Sequence, residues 1–302
     1  MVQKEATREY FEMNDNDFPG PINGHVIGRI LKETVRRASD TIRAERTMFE
    51  ATVKEGYGGS MNDVFTSADT KAQQIYVRAF TECFPGYGII GEEGALSVAP
   101  TIEEGLYFTV DPLDGTKAYV RRQSYGFGTM VALVRGGEVV SAYVGNPMTR
   151  ETFGYRPDSK RAHRITDLNE TEDLPPKPLK PLREQYALLR DPIEKYAPPL
   201  CERTLQSSFK QYEISGGSIG IWAARLWTQE VGGLFIGGDG HETPWDSTPV
   251  IGISAKLGYV FLRPNDAETA WVPYVPTLVV KPESRTHPTL IIHESLVPTL
   301  TQ

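Results

Sequence analysis

Asp111-Pro112-Leu113-Asp114-Gly115-Thr116 sets two carboxylates three residues apart, directly before a Gly-Thr pair able to open a helix. Carboxylates so spaced can share a hard divalent cation, and the backbone N–H groups and dipole at a helix start attract an oxyanion. That combination is suited to metal-assisted phosphate chemistry. Asp-Pro and Asp-Gly also form ordinary turns, so the segment alone leaves a solvated turn open. Gly91-Glu92-Glu93-Gly94 adds two carboxylates just after an apolar strand, where side chains often face a cleft and where a plain turn would look the same. Asp69, in the first turn of a predicted helix, and Asp246, after Trp245 and before another, are each explained equally well as capping residues.

Taken in order, Thr66-Ser67-Ala68-Asp69, Gly91-Glu92-Glu93, Asp111 to Thr116 and Trp245-Asp246 form a series that resembles the inositol monophosphatase superfamily. The resemblance covers roughly residues 24–150 well and 210–262 more loosely. It implies an α+β or α/β layered sandwich with alternating αβαβα layers. It also implies magnesium-dependent hydrolysis of a phosphate monoester by a metal-activated water, lithium sensitivity and a homodimer. Residue by residue, Glu92, Asp111 and the Leu113 carbonyl would hold one Mg2+, and Asp111, Asp114 and Asp246 a second, with Asp111 bridging and a third ion near Glu92. Thr116, supported by Asp69 and Glu93, would orient or activate the attacking water, and the Gly115 and Thr116 amides would cradle the phosphate. An all-oxygen set without a His or Cys cluster suits magnesium rather than zinc. Converging carboxylates would repel one another without cations.

Substrate identity stays open. Lys117 stands where the inositol-specific branch has Asn, and here the sequence looks like the 3'(2'),5'-bisphosphate nucleotidase branch; the lysine either meets a second phosphate or is an exposed helix residue. Asp239, seven residues before Asp246, occupies the place of a substrate-contacting glutamate, but its loop is longer than the family's and Glu242 competes for the role. The Gly- and Asn-containing motif that often follows the hairpin is missing between Arg156 and Asp173. Gly216-Gly217-Ser218-Ile219-Gly220 matches a nucleophile elbow, which a serine hydrolase would complete with Asp239 and His287 or His293. The phosphatase superfamily instead places Gly-Ser at this helix start beside the substrate, making Gly217 and Ser218 ligand contacts. The readings are thus hydrolysis of a small polyol or sugar phosphate, hydrolysis of a bisphosphate nucleotide, a non-catalytic regulatory or scaffold role, and serine hydrolysis.

The elements must bring these residues together. The 302 residues are 39% hydrophobic and 24% charged, enough for a substantial core. A net charge of −7 provides no basic field for a nucleic-acid polymer or an anionic membrane. Cys83 and Cys201 lack metal-type spacing and read as core thiols of a reducing compartment. The N-terminus has no basic or apolar leader and no window approaches a membrane span, so the chain reads as cytoplasmic. Asn14-Asp15-Asn16-Asp17 looks like half a calcium loop but reads as a polar turn, and no dinucleotide or Walker fingerprint is present. Apolar spacing predicts helices over 24–55 and after Thr66 or Ser67 up to Pro85. Strands follow at 88–90, 106–110, 128–135 and 139–145, the last pair joined at Gly136-Gly137. After a Pro-rich connection (156–185, with the composition shift running on to Pro199), strands are expected at 212–214, 233–236, 259–262 and 277–280. Helices are expected at 218–230 and from about 247. This divides the chain into a metal and phosphate unit (1–155), the connection (156–185) and an α/β unit completing the site (186–302).

Overall fold

The computed structural model describes residues 18, 22–56, 59, 61 and 63–300, so the Asn14 to Asp17 turn lies outside the described residues. The first part runs α1 (Gly24–Glu45), β1 (Ala51–Lys54), β2 (Asp63–Thr66), α2 (Ser67–Cys83), β3 (Gly88–Gly91), β4 (Ser97–Val98), β5 (Tyr107–Asp114), α3 (Thr116–Val120), β6 (Gly128–Arg135), β7 (Glu138–Gly145), β8 (Thr152–Tyr155), β9 (His163–Ile165) and β10 (Thr171–Asp173). It continues with β11 (Tyr186–Leu189), α4 (Pro198–Ser208), β12 (Gln211–Ile214), α5 (Ile219–Trp227), β13 (Val231–Ile236) and β14 (His241–Glu242). Then come α6 (Pro244–Lys256), β15 (Tyr259–Pro264), β16 (Trp271–Tyr274), β17 (Glu283–Ser284) and β18 (Thr289–His293). No helix among the described residues is long and apolar enough to cross a membrane.

Eight strands form one sheet in the order β10-β9-β8-β7-β6-β5-β3-β4, and six form another in the order β12-β11-β13-β18-β15-β16. Side-chain alternation along these strands dictates the layering. On β6, Val131 and Leu133 join the core under α1 and α2, while Met130 and Ala132 join the core containing α5 and α6. On β13, Leu234 and Ile236 enter that same central core, and Phe235 turns to the outer core with Leu200 and Leu205 of α4. The result is the expected αβαβα stack: α1 and α2, the eight-stranded sheet, α5 and α6, the six-stranded sheet, α4. Both sheets are covered on two faces, which is why their strands read as near-continuous apolar runs.

Several boundaries differ from the sequence expectation. The helix expected to reach residue 55 stops at Glu45, because the apolar period ends at Ile42 and the β-branched Thr52 and Val53 pair with β2 in a hairpin. The helix expected from residue 247 starts at Pro244, with Thr243 as N-cap, so Asp246 sits inside the first turn instead of capping it. The strand expected at 277–280 does not form. Pro276 and Pro282 flank it and cannot donate to a ladder, and β15 pairs with β16 instead. The segment 156–185, expected as a connection, adds β9 and β10 to the edge of the eight-stranded sheet.

Candidate functional site

β5 explains how Asp111 and Asp114 come to point the same way. Residues three apart on a regular strand face opposite sides of a sheet. Here Asp111 opposes Met130 and Asp114 opposes Gly128, so the register against β6 shifts and one extra residue is accommodated between the two aspartates. Pro112, which has no N–H to offer a ladder, falls in that irregular stretch. The shift re-aims Asp114, and both carboxylates meet Asp246 from the first turn of α6. One oxygen from each of the three lies within 4.8 Å of the others.

Each carboxylate is set by its surroundings. Asp114 Oδ2 accepts from Ser218 Oγ and from Gly220 N at 2.8 Å, and Oδ1 accepts from Ile219 N at 3.3 Å. Three donors at the start of α5 therefore fix its orientation. Burial, then Asp246, nevertheless push its pKa up to about 7. Thr243 Oγ1 donates to Asp246 Oδ2 at 2.7 Å. Asp111 is 1% exposed and its Oδ1 has no hydrogen-bond partner. Its pKa is raised well above the carboxylate range by burial first, then by Glu92, Asp114 and Asp246. A buried carboxylate oxygen without a hydrogen-bond partner, beside two more acids, is a group that a cation or a proton satisfies.

Gly115 has φ 86°, and a Cβ there would lie 2.3 Å from the Gly126 carbonyl, so only glycine permits the tight step from β5 into α3. That step presents Thr116. Its Oγ1 donates to Leu113 O at 2.9 Å and lies 3.3 Å from Asp69 Oδ1. Asp69 closes a capping box at the start of α2, with Oδ2 accepting from Thr66 N at 2.7 Å and Thr66 Oγ1 at 2.6 Å. Asp69 thus caps α2 with one oxygen and faces Thr116 with the other. Burial pushes its pKa up to about 6 against the lowering effect of the Thr66 hydroxyl.

Glu92 and Glu93 leave β3 beside this group and are paired by a residue that sequence reading missed. Lys54, on β1, approaches Glu93 Oε1 at 2.6 Å, Glu92 Oε1 at 3.4 Å and Asp63 Oδ2 at 4.0 Å. Burial works against its charge, but Glu92, Glu93 and Asp63 outweigh burial and hold its pKa above the ordinary lysine value. Gln73 of α2 grips the Glu93 backbone from both sides, accepting from Glu93 N at 3.1 Å and donating to Glu93 O at 2.9 Å.

The remaining candidates are distributed unevenly. Lys117 is 56% exposed and lies 3.7 Å from Asp63 on β2. Gly217, at φ 129°, packs where a Cβ would lie 2.6 Å from Gly126 O, and Ser218 caps α5. Ser218 is fully buried and its hydroxyl is given to Asp114, while His293 Nδ1 faces Ser295 and His287 Nδ1 faces Pro288 O, so the geometry assembles no serine triad. Asp239 is 56% exposed and paired with Lys195 at 3.2 Å. The short β14, paired with β17, carries Glu242 into a pocket with Asp246, Arg190 and Arg285. The two arginines, from the end of β11 and the residue after β17, gave no signal at the level of motifs.

The sequence profile of the inositol monophosphatase family matches residues 25–184. Inositol-1-monophosphatase of Bacillus subtilis is 30% identical over 112 residues, 37% of this chain and 40% of that protein. The Rhizobium meliloti protein of the same name is 39% identical over 92 residues, 30% and 33% of the two chains. The Nus factor SuhB of Xylella fastidiosa is 33% identical over 94 residues, 31% and 32% of the two chains. The chain thus spans about a third of the length of these curated relatives. Solved structures match along far more of it. A Thermotoga maritima IMPase superposes with a TM-score of 0.63 at 19% identity over 88% of this chain and 91% of that one. Staphylococcal inositol monophosphatase-1 reaches 0.70 at 15% identity over 93% and 94%. With the profile matched over more than half the chain and the layered fold shared, the chain belongs to the inositol monophosphatase family.

Proposed function

We propose that the protein is a magnesium-dependent phosphomonoesterase acting on a small phosphorylated compound, and one observation carries this reading: three converging carboxylates, one of them with a buried oxygen that has no hydrogen-bond partner. The donor set is all oxygen and strongly anionic, which fits two or three Mg2+ ions held by Glu92, Asp111, Leu113 O, Asp114 and Asp246. Bound there, divalent ions would supply charge to neutralise the phosphate dianion, acidify the attacking water and stabilise the departing alkoxide.

The chain's own groups position the reaction. Thr116 Oγ1 gives its proton to Leu113 O and lies 3.3 Å from Asp69 Oδ1, whose partner oxygen is fixed by Thr66; once Leu113 O serves an ion the proton would turn to Asp69, leaving a Thr116 lone pair to accept from the water and aim it. With a pKa of about 6, Asp69 is largely ionised at neutral pH and able to accept that proton. Glu93, held by Gln73 and paired with Lys54, supports the same water. The first amides of α3, which have no carbonyl a turn earlier to bond, cradle phosphate oxygens. Gly217 and Ser218 act by placing the start of α5 against Asp114.

Phosphate release from inositol 1-phosphate, fructose 1,6-bisphosphate and 3'-phosphoadenosine 5'-phosphate, with Mg2+ and with EDTA, tests this; absence of metal-dependent release from every ester overturns it. Lithium inhibition and a homodimer belong to the same reading and are measured in that assay and by light scattering. Similarity to a Nus factor favours a second reading, a regulatory member that keeps the fold without turnover. It predicts a metal-stabilised protein that releases no phosphate.

A further inference from the structure

Tyr76 is a buried phenol that the proposed reaction does not use. It lies on α2 two turns after Asp69, in the buried stripe Asp69, Ala72, Tyr76 and Phe80. Its hydroxyl is 2.7 Å from Thr129 Oγ1 on β6, and Thr129 Oγ1 donates to the Asp111 carbonyl at 3.0 Å. A carbonyl only accepts, and Thr129 has one hydroxyl proton to give, so the direction is set: Tyr76 donates to Thr129, and Thr129 to Asp111. Both side chains are fully buried, where a hydrogen bond works in a low dielectric and water does not compete.

This chain of hydroxyls reaches the site through the eight-stranded sheet. By strand alternation Thr129 shares a face of β6 with Val131 and Leu133, in the core under α1 and α2 that also holds Tyr76. Asp111 stands opposite Met130, whose side chain enters the core with α5 and α6, so the Asp111 carboxylate lies on the other face and is reached through its own backbone. Thr129 is also the single residue of β6 between Met130 and Gly128, while two residues, Pro112 and Leu113, separate their partners Asp111 and Asp114. It therefore faces the bulge, and its bond holds the strand just before Pro112, which has no N–H to give. α2 thus holds two parts of the site at once: Asp69 in its first turn faces Thr116, and Tyr76 braces the strand that carries Asp111, Leu113 and Asp114. We propose that Tyr76 is a positioning residue for the metal centre, acting through Thr129 to hold the β5 bulge so that Asp111, Leu113 O and Asp114 stay aimed together. This rests on metal binding as the phosphatase reading has it, and adds to it a brace on the face of the sheet turned away from the ions.

Titration calorimetry of Mg2+ into metal-free protein reads the effect without any substrate. Tyr76→Phe keeps the ring and its packing, and should weaken Mg2+ binding by roughly 3- to 10-fold, the worth of one neutral hydrogen bond. Thr129→Val should weaken it at least as much, and Thr129→Ser, which keeps the hydroxyl, should stay close to the wild type. The double variant Tyr76→Phe/Thr129→Val should bind like Thr129→Val alone, since Tyr76 acts through Thr129. In thermal melts the deficit of Tyr76→Phe should be larger in Mg2+ than in EDTA. An equal deficit in both buffers, with unchanged Mg2+ affinity, makes Tyr76 a core residue only and overturns the positioning role. Additive losses in the double variant, or a Thr129→Ser protein as weak as Thr129→Val, also overturn it. Phosphate release from the esters named above keeps the two readings apart. Turnover with a Mg2+ affinity indifferent to Tyr76→Phe removes the positioning role and leaves the phosphatase standing, whereas Tyr76-dependent Mg2+ binding without turnover does the reverse. A wild type that binds no Mg2+ overturns both.

Discussion

Asp111→Asn should have opposite effects on stability with and without magnesium. Two unit charges 4.8 Å apart at an effective dielectric constant of about 20 repel by about 3.5 kcal/mol, and Asp111 faces two such neighbours in Asp114 and Asp246. Protonation relieves part of this in the metal-free protein, since burial and these neighbours raise the Asp111 pKa. The residual strain that a neutral amide removes is about 1–3 kcal/mol, and the amide N–H groups gain carboxylate acceptors. The Asp111 backbone carbonyl, which accepts from Thr129 Oγ1 at 3.0 Å, is untouched. In EDTA the variant should therefore melt several degrees above the wild type. In Mg2+ at about 100 times its dissociation constant the wild type should gain about 2.7 kcal/mol, and the variant little. Thermal melts by circular dichroism in both buffers, with phosphate release alongside, measure this. A variant that melts lower in EDTA and keeps the full magnesium gain would refute the account of Asp111 as a strained ligand.

Thr116→Ala should lower kcat by roughly 10²- to 10⁴-fold while keeping the magnesium-induced rise in melting temperature, as expected of a group that handles the proton and not the ion. Gly115→Ala should cost about 3 kcal/mol or more in a denaturant titration, since a Cβ would lie 2.3 Å from Gly126 O in left-handed backbone. Lys54→Met should lower metal-free stability by about 1–3 kcal/mol by leaving the Glu92 and Glu93 charges uncompensated, and magnesium should restore most of it. The raised pKa values of Asp69, about 6, and Asp114, about 7, mean that the folded state holds protons the unfolded chain has released. Stability in EDTA should therefore be greatest near pH 4 and fall as pH rises to about 7; a rise over that interval contradicts the shifts.

The acidic series was legible because its members sit in local contexts with strong signals: Asp69 three residues after a capping threonine, Asp111 and Asp114 around a proline that disturbs a strand, Asp246 beside a proline-started helix. Lys54 was missed because helical spacing through Ile42 was carried past the true end of α1, into a hairpin held by β2 rather than by local preference. Counting back from Asp246 selected Asp239, but the count assumes a fixed loop length, and the two-residue pairing of β14 with β17 brings Glu242, not Asp239, into the pocket lined by Asp246. Arg190 and Arg285 converge only through the six-stranded sheet and its edges. No sequence window contains them both, so no spacing could reveal the pocket.

The bulged end of β5 is made by residue 114, yet the groups that orient and complete it come from α5 and α6, more than a hundred residues later. A chain emerging from the ribosome therefore carries Asp111 and Asp114 before Ser218, Gly220 or Asp246 exists to cover and orient them. If the protein is the metal-dependent phosphatase proposed above, its ion site is complete only once the C-terminal layers have docked on β5.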